Sequence, residues 1–267
     1  MRKIYAFLMS VMLACVGCEW HLSSSNDELE ENVIVERYDR IQSLYLTTGD
    51  FSALQQMNTG YPQQTRTLIE DVLKIGRVNE PEINIKLLNF YQDTTLQTLI
   101  ASAEQEFANM DDINEELNNA FEQLRKMLGD IEIPQIYSQI GSLDQSITVG
   151  NGILGISLDK YLGKDYPLYH REDYGYSDSQ LNVMTREYIV PDCIGFYLLS
   201  IYPMPQRNLS QLDRDIHIGK IQWVVNKTMD RQVFNTLYTR TVGNYMKKHP
   251  EVTVEQLLKN NKYKEIR

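Results

Sequence analysis

The stretch from Thr148 to Met204 constrains this chain more than any other. Ile153, Leu154, Ile156 and Leu158 form a short apolar run between Gly150, Gly152 and Gly163, too brief for an ordinary helix, and this predicts a strand. A Tyr- and Asp-rich loop follows. Ser177 with Gln180 three residues on is a capping-box pattern that opens a helix. Leu181, Met184 and Tyr188 then share one stripe, and Val183, Val190 and Ile194 an adjoining one. Pro191 must kink this helix or begin a second piece.

Strand, loop, helix is also the core order of zinc peptidases, in which two histidines four residues apart put both imidazoles on one metal. The segment here best placed for that motif reads Arg186-Glu187-Tyr188-Ile189-Val190. A guanidinium stays protonated at neutral pH and valine has no donor atom, so neither end binds zinc. The sequence predicts no metal, no cofactor and no catalytic residue. Asp159, Glu187 and Asp192 are the carboxylates of this stretch with any claim to acid/base work, and a buried pair of Arg186 with Asp159 or Asp192 is their structural alternative.

The runs Gly152 to Gly163, containing Leu158-Asp159-Lys160-Tyr161-Leu162-Gly163, then Asp165 to Tyr169 and Arg186 to Asp192, resemble the gliding-motility lipoprotein B family of Bacteroidetes. The resemblance spans about Glu36 to the end, and Gly219-Lys220 resembles a further family motif. It implies a lipoprotein of the cell envelope, of a fold distantly zincin-like whose metal motif is lost. It makes Asp159, Tyr161, Arg186, Glu187, Asp192 and Lys220 a candidate groove or structural polar cluster.

The N-terminus fits that expectation. Met1-Arg-Lys precedes an apolar stretch shorter than a membrane span, and residues 1–17 read as a lipoprotein signal peptide. Val16-Gly17-Cys18 supplies the small residues expected before an acylated cysteine, which favours Cys18 over the competing Cys15. Acyl chains there give a membrane anchor. Residues 18–32 are acidic and polar, a flexible tether, and 33–267 are expected to form a single domain, with a sub-boundary near 130 allowed by the change from helix to strand. The outer membrane is the expected site, with the leaflet open. Of three cysteines only Cys193 is left inside the domain, so no intrachain disulfide holds it, and its apolar neighbours predict a buried small hydrophobe.

A formal charge of −10 argues against a nucleic-acid surface. Seventeen Tyr against seven Phe suit either a groove wall or, preferably, the boundary of a core. Val35, Tyr38, Ile41, Leu44 and Tyr45 keep helical spacing. Asp50 and Asp93 begin further helices, and Ile113 to Leu128 forms another that stops at Gly129. Ile133 to Ile140 predicts a second strand beside 153–158, with Pro134 at its start. A helix over Leu212–Val225 carries His217, expected to be a partly exposed structural residue, and Thr253 with Gln256 caps the last helix.

Together these give an α+β fold, mostly helical, with a small sheet packed on a helical bundle around a zincin-like core. The expected function is that of a non-catalytic, lipid-anchored envelope protein. Its groove binds a polypeptide or another envelope component, with an edge strand such as 153–158 receiving an extended segment. A divergent hydrolase and a purely structural subunit of a motility or secretion machine are the alternatives.

Overall fold

The computed structural model describes residues 32–206 and 208–267. Cys15, Cys18, the signal peptide and all but the last residue of the tether lie outside the described residues. The first half is helical. Tyr38–Thr48 forms α1. Asp50 accepts from the Ala53 amide at 2.9 Å and opens α2, Phe51–Thr59. Pro62 takes the first position of α3, Pro62–Arg66, where its missing N–H costs nothing, and the chain continues as a π turn over Thr67–Val72. Ile83–Phe90 is α4. Asp93 accepts from the amides of Thr95 and Leu96 at the start of α5, Thr94–Glu106. Asp111–Leu128 is α6, which buries Ile113, Leu117, Phe121 and Leu124 along one side and ends at Gly129.

Three strands follow: β1, Gln135–Gln139; β2, Ile147–Val149; β3, Ile153–Ser157. Their order is β1-β3-β2. β1 runs parallel to β3, with Gln135 opposite Ile153, and β2 runs antiparallel to it, with Thr148 opposite Gly155. The expected strand is therefore present, but not at an edge. All five residues of β3 are buried and both of its hydrogen-bonding sides are occupied, so it cannot receive an added segment. The outer side of β1 is met by Glu36, whose amide donates to Ile136 O and whose carbonyl accepts from Ser138 N, each at 2.9 Å.

After the sheet, Asp178–Leu181 is α7, Ile189–Ile201 α8, Gln211–Thr228 α9, Leu237–Lys248 α10, Val254–Lys259 α11 and Tyr263–Ile266 α12. The Ser177 cap forms as expected, with Gln180 Oε1 accepting from the Ser177 amide at 2.9 Å. The single kinked helix does not form. Leu181 and Met184 are buried in a small cluster with Leu99, Leu168 and Tyr169, whereas Val190 and Ile194 enter the main core. One straight helix cannot serve both. Pro191 falls in the first turn of α8, where amides have no intrahelical acceptor, so it starts a helix rather than bending one. No expectation covered α10. A signal was present, since Tyr238, Val242, Tyr245 and Met246 keep helical spacing and pack into one cluster with Ile216, Leu257 and Tyr263.

The result is an α+β fold, mostly helical, with a three-stranded sheet against the helices. The main core gathers residues from Val33 to Leu258. Within it the Tyr137 ring lies across Gly155, where a Cβ would sit 2.5 Å from the Tyr137 hydroxyl. Gly155→Ala is therefore expected to destabilise the domain by about 1–3 kcal/mol through overpacking, read by urea denaturation. An unchanged midpoint would show that the ring is not pinned.

Candidate functional site

The Leu158–Gly163 turn is built around one carboxylate. Asp159 is fully buried. Its Oδ1 accepts from the Gly141 amide at 2.6 Å and its Oδ2 from the Leu143 amide at 2.8 Å. Burial pushes the carboxyl up from its ordinary range, and the two amides oppose that. The Asp159 carbonyl accepts from the Tyr169 hydroxyl, which itself accepts from Leu162 N at 3.0 Å. Lys160 Nζ donates to Leu143 O at 3.2 Å and to the Tyr176 hydroxyl at 3.0 Å. Gly163, at φ +102°, donates its amide to Met184 O at 3.0 Å. The turn is thereby tied to the 141–143 segment on one side and to the tyrosine loop on the other.

Tyr161 adds the link to α8. Its hydroxyl donates to Asp192 Oδ2 at 2.8 Å. Asp192 is half-buried, and burial pushes its carboxyl up to about 6, partly offset by the Tyr161 bond. Tyr161 and Asp192 thus form a bonded pair, and Asp159, two residues before Tyr161 on the same turn, is held by other partners.

The other three candidates do not join them. Arg186 was expected against Asp159 or Asp192 and instead pairs with Asp112, through Nε at 2.8 Å and Nη2 at 2.7 Å. The same guanidinium donates to the carbonyls of Glu106 and Asn109 and lies 5.2 Å from the Phe107 ring centroid. The reason is its position. Arg186 lies on a 3-10 turn, Arg186–Tyr188, ahead of α8, and satisfies carbonyls left unpaired where α5 ends. The 186–190 segment therefore straddles a helix start, and its ends do not occupy successive turns of one helix. Glu187 is exposed, its carboxyl held below the usual range by the Thr185 hydroxyl.

Lys220 is buried on α9. Its Nζ donates to Leu258 O at 3.0 Å and Asn260 O at 2.8 Å, closing the end of α11, and burial lowers the amine to about 8. One turn earlier, His217 is buried rather than partly exposed. Its Nδ1 lies 3.1 Å from the Tyr263 hydroxyl, and its Nε2 lies 3.0 Å from Tyr202 O. Burial, then the charge of Lys220, depresses the imidazole to about 4, so it is neutral at pH 7. Cys193 is fully buried and free, and burial pushes its thiol well up, as suits the inert hydrophobe expected. Among the described residues no three His, Cys, Asp or Glu side chains gather closely enough to hold a metal.

A cleft of about 460 Å³ opens elsewhere, between the starts of β1 and β3, the β2–β3 turn and the last turn of α8. Ile131, Ile133, Val149, Ile153, Tyr197 and Ile201 line it, and none of the six candidate residues does. Val149 and Ile201 stand 40% and 41% exposed at its mouth. Tyr197 fixes one wall by donating to Glu132 O at 2.7 Å. Sequence reasoning missed this site, although a signal was present. α8 is apolar nearly all round, with Phe196 and Ile201 left facing water.

These features define an α+β domain with an internally satisfied polar turn and an apolar cleft at the sheet's end. The family model described as gliding motility protein GldB matches residues 19–238, most of the chain, and the chain belongs to that family. The match takes in the Asp159 turn and α8, and stops just inside α10. Neither the curated proteins nor the solved structures contain a match. Membership makes the chain a gliding-motility lipoprotein by family and points to association with the cell envelope.

The Asp192 carboxyl gives a pH signature. Its folded value lies above the unfolded one, so the fold favours the protonated form. That contribution is fully present below about pH 4 and is lost as pH rises through about 6. Asp192→Asn should flatten this part of the stability–pH curve, removing a fall of at most about 3 kcal/mol. Parallel curves for the two proteins would show that Asp192 titrates normally.

Proposed function

We propose that this chain is a non-catalytic lipoprotein, acylated at Cys18 and held at the outer membrane, that docks a polypeptide partner of the envelope in the cleft beside α8. The observation that carries the reading is the separation of the two sites. The side chains with a claim to chemistry are bound to main-chain groups or to each other, as with Asp159, Lys220 and the Tyr161–Asp192 pair. The exposed apolar side chains that border a cleft, Val149 and Ile201, lie apart from them. Family membership supports the envelope setting and the lipid anchor.

An extended polypeptide suits the cleft. β2 is the outer strand of the sheet and borders the cleft through Val149, so main-chain pairing and apolar pockets adjoin. The edge role expected of 153–158 passes to this strand. A zincin-like ancestry is part of the reading only on the order strand, loop, helix, because Arg186 and Val190 do not share the successive helical turns that two zinc ligands need.

In-cell crosslinking of the full chain, with fractionation, tests this. Cys18→Ala should move the protein out of the membrane fraction. Val149→Glu with Ile201→Glu should lower recovery of an envelope partner at least tenfold at an unchanged melting temperature. Release by Cys15→Ala instead would relocate the anchor, and undiminished partner recovery would remove the cleft from the account.

A further inference from the structure

The chain is acidic overall, at a formal net charge of −10, yet one cleft is basic. It measures about 530 Å³ and lies between the C-terminal turns of α9, the loop after it, and α10. Lys227, Arg231, Arg240 and Lys247 line it against a single lining carboxylate, Asp230, with the Trp223 indole as an apolar wall. All four cations are exposed. Arg231 is engaged by Glu116 at 3.1 Å. Lys227, Arg240 and Lys247 have no carboxylate within 4 Å among the described residues. Arg240 is steered by Asn235 Oδ1 at 2.8 Å, and Lys227 stands 5.6 Å from the Trp223 ring centroid.

Like charges so placed repel one another, and nothing in the packing of α9 on α10 requires them. The two helices are fastened by apolar and small residues. Gly219 meets Tyr238 so closely that a Cβ would fall 2.7 Å from the Tyr238 Cβ, and Gly243 sits against the Trp223 indole. The walls are therefore fixed by contacts that do not involve the cations, which leaves the cations free to face a ligand. In an otherwise negative field, uncompensated positive charge attracts a compact anion of high charge density. Guanidinium and ammonium groups together suit the tetrahedral oxygens of phosphate, and Asn244, exposed in the same cleft, adds a carboxamide donor.

We infer that this cleft binds a phosphate-bearing group, through Lys227, Arg240 and Lys247. The site is separate from the apolar cleft beside α8, and the inference does not depend on the partner proposed there. Two sources offer such a group, a phospholipid headgroup and a free phosphate compound. Calorimetric titration of the full chain in dodecyl maltoside with glycerol 3-phosphate, and separately with inorganic pyrophosphate, distinguishes them. Saturable binding of at least one is expected. It should weaken at least tenfold in Lys227→Glu with Lys247→Glu and remain unchanged in Lys164→Glu, an exposed cation elsewhere. Higher salt should weaken it further. Tighter binding of glycerol 3-phosphate assigns the headgroup, and tighter binding of pyrophosphate assigns the free compound. Should the double variant lose its melting transition, Arg240→Gln carries the same comparison. The absence of saturable binding, or binding that survives these substitutions, overturns the inference.

Discussion

The Asp159 carboxylate, held by the amides of Gly141 and Leu143, is the constraint on which the centre of the molecule depends. A carboxylate taken wholly out of water is costly, and the cost is met only if both oxygens find donors. The donors come from the segment joining β1 to β2, so the end of β3 is fixed to the exit of β1. Ile140, at that exit, is gripped from the other side by Gln42 of α1, which donates to its carbonyl at 2.6 Å and accepts from its amide at 2.8 Å. Tyr91 donates to the same carbonyl at 2.6 Å. The sheet is thus joined to the helices by side chains that stand in for missing strand neighbours.

This arrangement shows why some of the fold was legible in the sequence and some was not. Helix starts at Asp50, Asp93, Ser177 and Thr253 are decided within four residues, and each forms as its local pattern indicates. Both longer strands and the place of Pro134 could also be read. Hydrophobic spacing misleads in α1. Leu44 is exposed while Asp39, Gln42 and Ser43 are buried, because their hydrogen bonds lie with residues some 60 to 100 positions away. The same distance defeats the pairing of Arg186, whose partner Asp112 lies 74 residues earlier. Asp159 and Asp192, the expected partners, are bonded instead by the Gly141 and Leu143 amides and by Tyr161.

The six candidate residues do not gather into one cluster. Tyr161 and Asp192 tie the turn to α8, while Asp159 ties it to the 141–143 segment. Lys220 does the equivalent work at the C-terminal end, where an ammonium in place of water satisfies the carbonyls that finish α11. A motif can mark a family because its residues are needed to close the chain on itself. Here the apolar cleft beside α8 and the basic cleft between α9 and α10 carry none of the six candidate residues, and of the motif runs only Gly152, Ile153 and Leu154 reach the apolar cleft.

The account therefore stands or falls on whether Asp159 is a structural tie. Native-state hydrogen exchange on Asp159→Asn measures it most directly, because the substitution keeps the shape but turns one acceptor into a donor facing a backbone N–H. The amide left facing the carboxamide NH2, Gly141 or Leu143, should lose most of its protection, with the domain destabilised by about 1–3 kcal/mol. Unchanged protection at both amides, in a variant that has nonetheless lost its envelope partner, would contradict it and make Asp159 a functional group.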